Sequence, residues 1–379
     1  MSPQTNKDDF FTHLRQRKTF HILITGETDD FDALVIDDWR SEGFNVKYLA
    51  FGKGGADYVR QVQKVADGMV GVSEKYAIIA FGNPGAPLLT SLRHLPRLAA
   101  LISYYPPQIP SGQHTTYPPG VNVLLHLCAG STISVSLRSF VYEGVSSGFA
   151  ETDVDEFDSV GKELAWSRSL ATVRKSFDLE NPDLEGVRDA YFDNVGTDPD
   201  GSRSGWPQAL PESGTCRINL PTLTGGFDRE GLRAFYRDLF GPTAHMIRAK
   251  LISRTVGPTQ VVDEMIISFK HDAVIEWMLP RVPPTGKQVR IPVVSIVAIK
   301  AGRCVSERLY WDQASVLVQI GMLDPALIPD SFRTKNKGSI KKLRMPVVST
   351  EQAKAVEEGE DWNGSVNSLV DGMRGSSIS

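Results

Sequence analysis

Residues Val261–Pro325 read VVDEMIISFKHDAVIEWMLPRVPPTGKQVRIPVVSIVAIKAGRCVSERLYWDQASVLVQIGMLDP. Four runs within this stretch, Val261–Phe269, Ala273–Leu279, Gln288–Lys300 and Cys304–Asp312, are dominated by Val, Ile, Trp, Tyr and Phe, and are punctuated by Gly, Pro and Lys. That composition predicts strands. Helical patterns precede them. Leu184, Val187 and Tyr191 fall at i, i+3, i+7 in Leu179–Asn194, with Asp183 as N-cap. Leu232, Phe235, Tyr236 and Leu239 form an apolar stripe in Arg229–Phe240, and a strand is expected around Ala249–Val256. Helices followed by antiparallel strands imply an α+β unit whose bent sheet wraps around helices. The β-rich runs also carry Asp263, Glu264, His271, Glu276, Trp277, Glu307, Tyr310, Trp311 and Asp312. A flat structural sheet has little use for such groups, whereas a sheet curved around a pocket brings them together.

Working outward, 379 residues imply two domains. The first half alternates strand and helix. Strands are expected at 21–26, 44–52, 76–82, 98–106, 121–130 and 139–144, and helices at Phe31–Gly43, Ala56–Gly71, Pro87–Leu92 and Val154–Phe177. Such alternation predicts a mostly parallel sheet covered on both faces. The formal net charge of −4, with no basic block, argues against nucleic acid as partner. No apolar run approaches a membrane span, and the N-terminus lacks a secretory h-region, so a cytoplasmic protein with no membrane partner is expected. Cys128, Cys216 and Cys304 stand far apart, which suits neither a disulfide framework nor zinc. Neither a metal nor a cofactor is expected.

In residues 18–176, GNPGAPL after a strand, SYYP, LLHLCAG and VYEGVSSGFAETDVDEFDSVGKELAWSRSLATVRK resemble the dienelactone hydrolase branch of the α/β-hydrolases. That resemblance implies a cysteine nucleophile on a strand-to-helix elbow, with an aspartate and a histidine completing a triad. Gly82 stands at the nucleophile position, Ser147 replaces the base, and LLHLCAGSTIS offers no aspartate. The first domain is therefore expected to be a scaffold without hydrolytic chemistry. His126 and Cys128, two apart on a strand, share one face and are expected to be buried there.

Residues 179–330 resemble the SnoaL-like polyketide cyclases through PTLTGG, REGLRAFYRDLF, IEWMLPRVPPTGK, VRIPVVSIV and ERLYWDQASVLVQIGMLDP. The whole chain resembles fungal fusions of the two families. The likeness implies a curved-sheet cone with an apolar pocket, often a homodimer, and an acid/base aspartate at the position of Asp312. On a regular strand Tyr310 and Asp312 share one face, while Glu307 and Trp311 share the other. Asp312 with Tyr310 is the preferred catalytic pair and Glu307 with Trp311 the alternative. His271 is a further catalytic candidate, although a Lys-His-Asp turn usually holds a solvated histidine. Trp277, Trp311, Glu264 and Met278 are candidate substrate contacts; Trp277 and Met278 alternate along a presumed strand. Trp206, in the polar loop Asn194–Cys216, is a candidate to cover a pocket, with a surface-anchored Trp the equal alternative. Residues 331–379 read as a tail, of which the last ~40 residues are expected to be loosely ordered in part.

The function expected is a cofactor-free cyclase or isomerase of an apolar polyketide or terpenoid intermediate. A pericyclic, Diels–Alder-type reaction driven by substrate preorganisation is included. An ester or epoxide hydrolase and a non-enzymatic small-molecule carrier are the alternatives.

Overall fold

A computed structural model of the chain describes residues 19–52, 54–110, 118–130, 137–197, 216–328 and 344–364, with 366 and 369. The loop around Trp206 and the basic run 331–343 lie outside them. The chain divides into two compact units, Met1–Asn181 and Pro182–Ser379.

In the first unit the strands are β1 (His21–Gly26), β2 (Asn45–Ala50), β3 (Tyr76–Phe81), β4 (Leu98–Tyr104), β5 (Asn122–Cys128) and β6 (Arg138–Tyr142). They form one all-parallel sheet in the order β2-β1-β3-β4-β5-β6. Every residue of β1, β3 and β4 is buried, as expected of strands covered on both faces. Alternate side chains feed two cores. Ile22, Ile24, Ile79 and Phe81 join Trp39 of helix α1 (Ala33–Ser41) and Trp166 of helix α4 (Ser159–Ser176). Leu23, Ile78 and Ala80 join Tyr58 of helix α2 (Gly55–Asp67) and Leu88 of helix α3 (Gly85–Thr90) on the other face. Helix α4 begins at Ser159 rather than Val154, because Asp158 caps it by accepting from Gly161 N at 2.6 Å.

His126 sits in the core of this unit with both ring nitrogens bonded, Nδ1 to Tyr142 Oη at 2.7 Å and Nε2 to Ser169 Oγ at 2.8 Å. Ser169 also meets Tyr104 Oη at 2.9 Å, and Arg168 donates to Tyr142 Oη at 2.9 Å. A buried polar chain of this kind is satisfied throughout and pins β4, β5 and β6 to α4.

The second unit contains helix α5 (Leu184–Thr197), β7 (Cys216–Asn219), β8 (Thr224–Gly226), helix α6 (Arg229–Ala234), a π-helical turn (Phe235–Phe240) and the short helix α7 (Gly241–Ala244). Then come β9 (Arg248–Val256), β10 (Gln260–Lys270), β11 (Gln288–Lys300), β12 (Arg303–Trp311), α8 (Gln313–Ile320) and α9 (Glu351–Glu358). The sheet order is β8-β7-β12-β11-β10-β9. It is mixed rather than wholly antiparallel, since β7 runs parallel to β12. Odd-numbered residues of β10 and β11, Val261 to Phe269 and Val289 to Ile299, face one large apolar core with Tyr191, Phe235 and Tyr236. A register shift between Ala298 and Ile299 lets Cys304 join that same core. Asp263, fully buried, lies 2.6 Å from both Arg188 Nε and Arg254 Nε. Arg254 continues to Glu185 and Asp189, which ties α5 to the sheet.

One expected strand is corrected here. Ala273–Leu279 is a compact turn, because Met278 N and Leu279 N both return to Ile275 O at 3.1 and 2.7 Å. Trp277 and Met278 are consequently both buried instead of pointing to opposite faces. Residues 344–361 of the presumed tail are docked: Ser315 Oγ donates to Val348 O, Gln319 Nε2 to Ser349 O, and Ala353 is fully buried. Glu357 pairs with Lys250 and Arg290. Among the described residues no helix is long and apolar enough to cross a membrane.

The His126 chain has a pH signature. Burial, aided by the Arg168 charge, lowers the His126 pKa from 6.5 to about 3. Above pH 6.5 both folded and unfolded His126 are neutral, and between 6.5 and 3 only the unfolded chain takes up the proton. Stability of the first unit is therefore lost as pH falls through this window. Amide hydrogen exchange in β4, β5 and β6 is expected to quicken from pH 7 toward pH 4, beyond the intrinsic chemical rate. The change should be shallower by about one proton in His126→Gln. Equal slopes would remove His126 from the account.

Candidate functional site

Two places carry groups that chemistry could use, one in each unit. In the first unit, sheet order reverses beside β1, and the crevice opens at the carboxyl ends of the strands, where doubly wound sheets place ligands. Gly82 follows β3 with φ +71, a backbone conformation suited to glycine. Glu27, just after β1, turns its carboxylate onto this elbow and accepts from Asn83 N at 3.2 Å. A Cβ at position 82 would lie 2.5 Å from Glu27 Oε1. The space of a nucleophilic side chain is thus filled by a carboxylate from another strand. Two overlapping hollows of about 250 and 320 Å³ surround the elbow, lined in common by Glu27, Gly82, Tyr105 and Ser147. Cys128 reaches the second, and no histidine is among its lining residues. Tyr105 donates to Glu151 at the rim of the first hollow. Burial raises the Glu151 pKa above its ordinary value, with Asp153, Asp32 and Glu27 adding to the effect.

In the second unit the sheet's inner face carries an ion pair. β7 runs beside β12 with Arg217 opposite Glu307, and both strands turn these residues inward. Arg217 Nη1 lies 3.0 Å from Glu307 Oε2, each side chain 2% exposed. Ser295 Oγ donates to Glu307 Oε1 at 3.1 Å. Arg217 Nη1 also donates to Tyr236 Oη at 2.8 Å, and Tyr236 meets Tyr191 Oη at 2.8 Å. The π-helical turn sets Phe235, Tyr236 and Phe240 around the guanidinium, each ring centroid 5.2 Å from Cζ. Phe240 continues to Trp277 at 5.8 Å, and Trp277 to Trp311 at 5.5 Å. Burial opposes the Arg217 charge, but Glu307, Tyr236 and Tyr191 outweigh it and hold its pKa above the ordinary value. Burial likewise raises the Tyr236 and Tyr191 pKa values, so both remain phenols at neutral pH.

This interior is not fully satisfied. Trp277 Nε1, Arg217 Nε, Asn219 Oδ1 and Glu307 Oε2 are buried with no hydrogen-bond partner among the described residues. The Oε2 contact with Arg217 is ionic but out of hydrogen-bond alignment. A buried polar atom left unpaired costs about 1–3 kcal/mol. Arg217 and Asn219 share one face of β7 with Glu307 beside Arg217, so their unpaired atoms are positions where water or a ligand completes the bonding.

The preferred catalytic pair is displaced. Asp312 is the exposed N-cap of α8, accepting from Ala314 N at 3.0 Å, Ser315 N at 3.3 Å and Ser315 Oγ at 2.6 Å. Burial acts to raise its pKa, but the bonds from Ser315, Gln352 and Ala314 win and lower it, the opposite of an acid poised in an apolar pocket. Tyr310 is 40% exposed on the outer face. Glu264 also faces outward and accepts from Ser253 Oγ at 3.0 Å. The alternative pair, Glu307 and Trp311, faces inward with Trp277 and Met278. His271 is not a solvated turn residue: it is fully buried, with Nδ1 3.0 Å from Thr285 Oγ1 and Nε2 unpaired among the described residues. Burial lowers its pKa, keeping the ring neutral near pH 7. Arg217, Asn219, Tyr236, Tyr191 and Ser295 were not anticipated. The signal for the first two was present in CRIN, where Arg and Asn alternate with Cys and Ile and so share one face. Among the described residues no group of His, Cys, Asp and Glu could hold a metal ion.

No protein-family model matches the chain, and no curated protein does. Among solved structures, a SnoaL-like polyketide cyclase, so titled, from Jannaschia sp. CCS1 is 19% identical and covers 38% of this chain and 99% of its own, with a TM-score of 0.30. IdmH of Streptomyces antibioticus, titled a polyketide cyclase, is 17% identical over 37% of this chain and 99% of its own, with a TM-score of 0.29. A protein from Catenulispora acidiphila with a ketosteroid isomerase-like fold is 14% identical over 40% of this chain and all of its own, at 0.28. Likenesses at these scores assign no role to any residue.

The elbow is open to test through its steric pair. Gly82→Ala is expected to destabilise the first unit by about 1–3 kcal/mol in urea unfolding, from positive φ and the approach of Glu27. In Glu27→Ala/Gly82→Ala the loss should be less than additive by about 0.5 kcal/mol or more. Strict additivity would mean that Glu27 does not fill the space beside Gly82.

Proposed function

We propose that the second unit is a cofactor-independent cyclase or isomerase acting on an apolar, oxygen-bearing intermediate of polyketide or terpenoid type. The single observation that carries this reading is the buried ion pair: Arg217 and Glu307, sealed among aromatic rings, each with a polar atom outside any hydrogen bond among the described residues. Trp277 Nε1 and Arg217 Nε are donors suited to a carbonyl oxygen, where they stabilise charge developing on it. Glu307 Oε2, free of hydrogen bonds, is the acceptor for a proton leaving the carbon beside that carbonyl. The proton passes from the α-carbon to Glu307, the C–H electron pair moves into an enol(ate), and return of the proton at another carbon completes an isomerisation. Attack of the enol carbon on a second carbonyl within the same molecule closes a ring instead. Arg217 holds Glu307 in place before the transfer, 3.0 Å from its Oε2. The rings of Phe240, Trp277 and Trp311 hold the apolar body, and orientation of this kind is worth up to about 7–11 kcal/mol in intramolecular cases. A Diels–Alder-type ring closure would draw on the same donors and the same apolar walls without needing Glu307 as a base. The roles assigned from the pattern to Asp312 and Tyr310 pass to Glu307 and Tyr236, Tyr236 orienting Arg217 through its 2.8 Å bond. Hydrolysis in the first unit is disfavoured by Gly82 and by the Glu27 carboxylate beside it.

The test uses β-tetralone, an apolar enolisable ketone, in deuterated buffer, with exchange of its α-protons followed by NMR. Wild type is expected to accelerate exchange above buffer. Glu307→Gln should lose roughly 100- to 10,000-fold of that acceleration, and Asp312→Asn should retain it. Exchange by wild type no faster than buffer, or full activity in folded Glu307→Gln, would overturn the proton-transfer role. Binding without exchange would favour the carrier alternative.

A further inference from the structure

Two indoles face the core of the second unit, and they are bonded differently. Trp311 ends β12, Trp277 belongs to the turn Ala273–Leu279, and their rings meet edge to face, 5.5 Å apart at 82°. Trp277 Nε1 has no hydrogen-bond partner among the described residues, whereas Trp311 Nε1 donates to Gln313 Oε1 at 2.6 Å. The other end of the same amide, Gln313 Nε2, donates to Met278 O at 2.9 Å. Chemistry fixes that orientation, since an indole N–H can only donate and a backbone carbonyl can only accept. One side chain thus joins the end of β12 to the turn that carries the other indole. Gln313 is held in its turn. It is the first residue of α8, directly after the N-cap Asp312, and Gln352 of α9 donates to Asp312 Oδ2 at 3.2 Å. At the far end of α8, Gln319 accepts from Arg290 N at 2.7 Å and donates to Arg290 O at 3.0 Å and to Ser349 O at 3.1 Å. The helix is fastened at both ends, and residues 349–352 contribute at each.

We infer that Gln313 is the positioning residue of this interior: it sets Trp277 against Trp311, and the C-terminal segment docked on α8 acts on the interior through it. This rests on the interior being the functional site proposed above, and it adds how the wall of that site is held. Trp277 Nε1 is the proposed donor to the substrate carbonyl, and a hydrogen bond depends on direction far more than apolar packing does. The link from Gln313 to Trp277 is short on both routes. Met278, the next residue in the chain, takes the amide's hydrogen bond, and Trp311 passes the ring contact. Starting α8 does not require the Gln313 side chain, because Asp312 already accepts from Ala314 N and Ser315 N as N-cap. The amide instead directs one function to each side of the aromatic wall.

Indole NMR on the full chain, with the two resonances assigned by Trp277→Phe and Trp311→Phe, tests this without reference to turnover. In Gln313→Leu the Trp311 indole proton is expected to move upfield on losing its acceptor. The Trp277 indole should shift with it, although it makes no bond to residue 313. Gln313→Glu separates the two functions of the amide. Its carboxylate still accepts from Trp311 but cannot donate to Met278 O, and on protonation the carboxyl regains an O–H donor. Lowering the pH should therefore return the Trp277 resonance toward its wild-type position in Gln313→Glu and not in Gln313→Leu, each compared with wild type at the same pH. Gln352→Ala should shift both indoles in the same sense by less. With β-tetralone, Gln313→Leu is expected to lower kcat for α-proton exchange by about tenfold and to leave KM within about twofold, as a misaimed donor on an intact apolar wall would. Thermal unfolding confirms that each variant is folded. A Trp277 resonance that stays in place in folded Gln313→Leu, or that fails to return on acidification of Gln313→Glu, overturns the inference. Unmoved indoles in Gln352→Ala would remove the C-terminal segment from it. The expected shifts in a protein that exchanges no α-protons would discard the reaction and keep the positioning role. Exchange that Gln313→Leu leaves unaltered in kcat and KM would do the reverse.

Discussion

Everything in the second unit is arranged around the enclosure of two opposite charges, Arg217 and Glu307, at the seam where a parallel strand joins an otherwise antiparallel sheet. Removing two ions from water costs several kcal/mol each, and a buried pair recovers this only with good geometry and further hydrogen bonds. Here those bonds come from Ser295 on β11 and from Tyr236 on the π-helical turn. The extra residue of that turn brings Phe235, Tyr236 and Phe240 to one point, which a regular α-helix would not do. An apolar pair of similar volume would make the unit at least as stable. Retention of the charges together with unpaired atoms on both partners is therefore better accounted for by chemistry than by stability.

The parallel sheet of the first unit was plain in the sequence because fully buried strands read as unbroken apolar runs, such as HILITG and YAIIAF. The inner and outer faces of β12 were harder. Period-two alternation separates Tyr310 from Trp311 but does not say which faces inward. That choice is made by Arg217, on a four-residue strand adjoining residues outside those described. Asp312 misled for a local reason. An aspartate two residues before Ala and three before Ser is an N-cap as readily as an acid, and the helix it starts is only 8 residues long. Ala273–Leu279 misled because six apolar residues in seven look like a strand when they fill a largely buried turn.

Unsatisfied groups separate the two buried histidines better than burial does. His126 and His271 are both fully buried, and both have lowered pKa values with desolvation as the largest cause. His126 uses both nitrogens within a closed chain of Tyr104, Ser169, Tyr142 and Arg168, which is how a core locks its packing. His271 uses one, through Thr285, and leaves Nε2 unpaired among the described residues. The first unit has unpaired atoms too, Tyr76 Oη, Ser103 Oγ and Arg174 Nε, but these are single groups on separate elements. A lone unpaired hydroxyl is a local defect that one water can repair. In the second unit the unpaired Arg217 Nε and Asn219 Oδ1 belong to one face of β7 beside the Arg217–Glu307 ion pair, so polar atoms outside any hydrogen bond stand next to buried charge, where leaving them unpaired costs more.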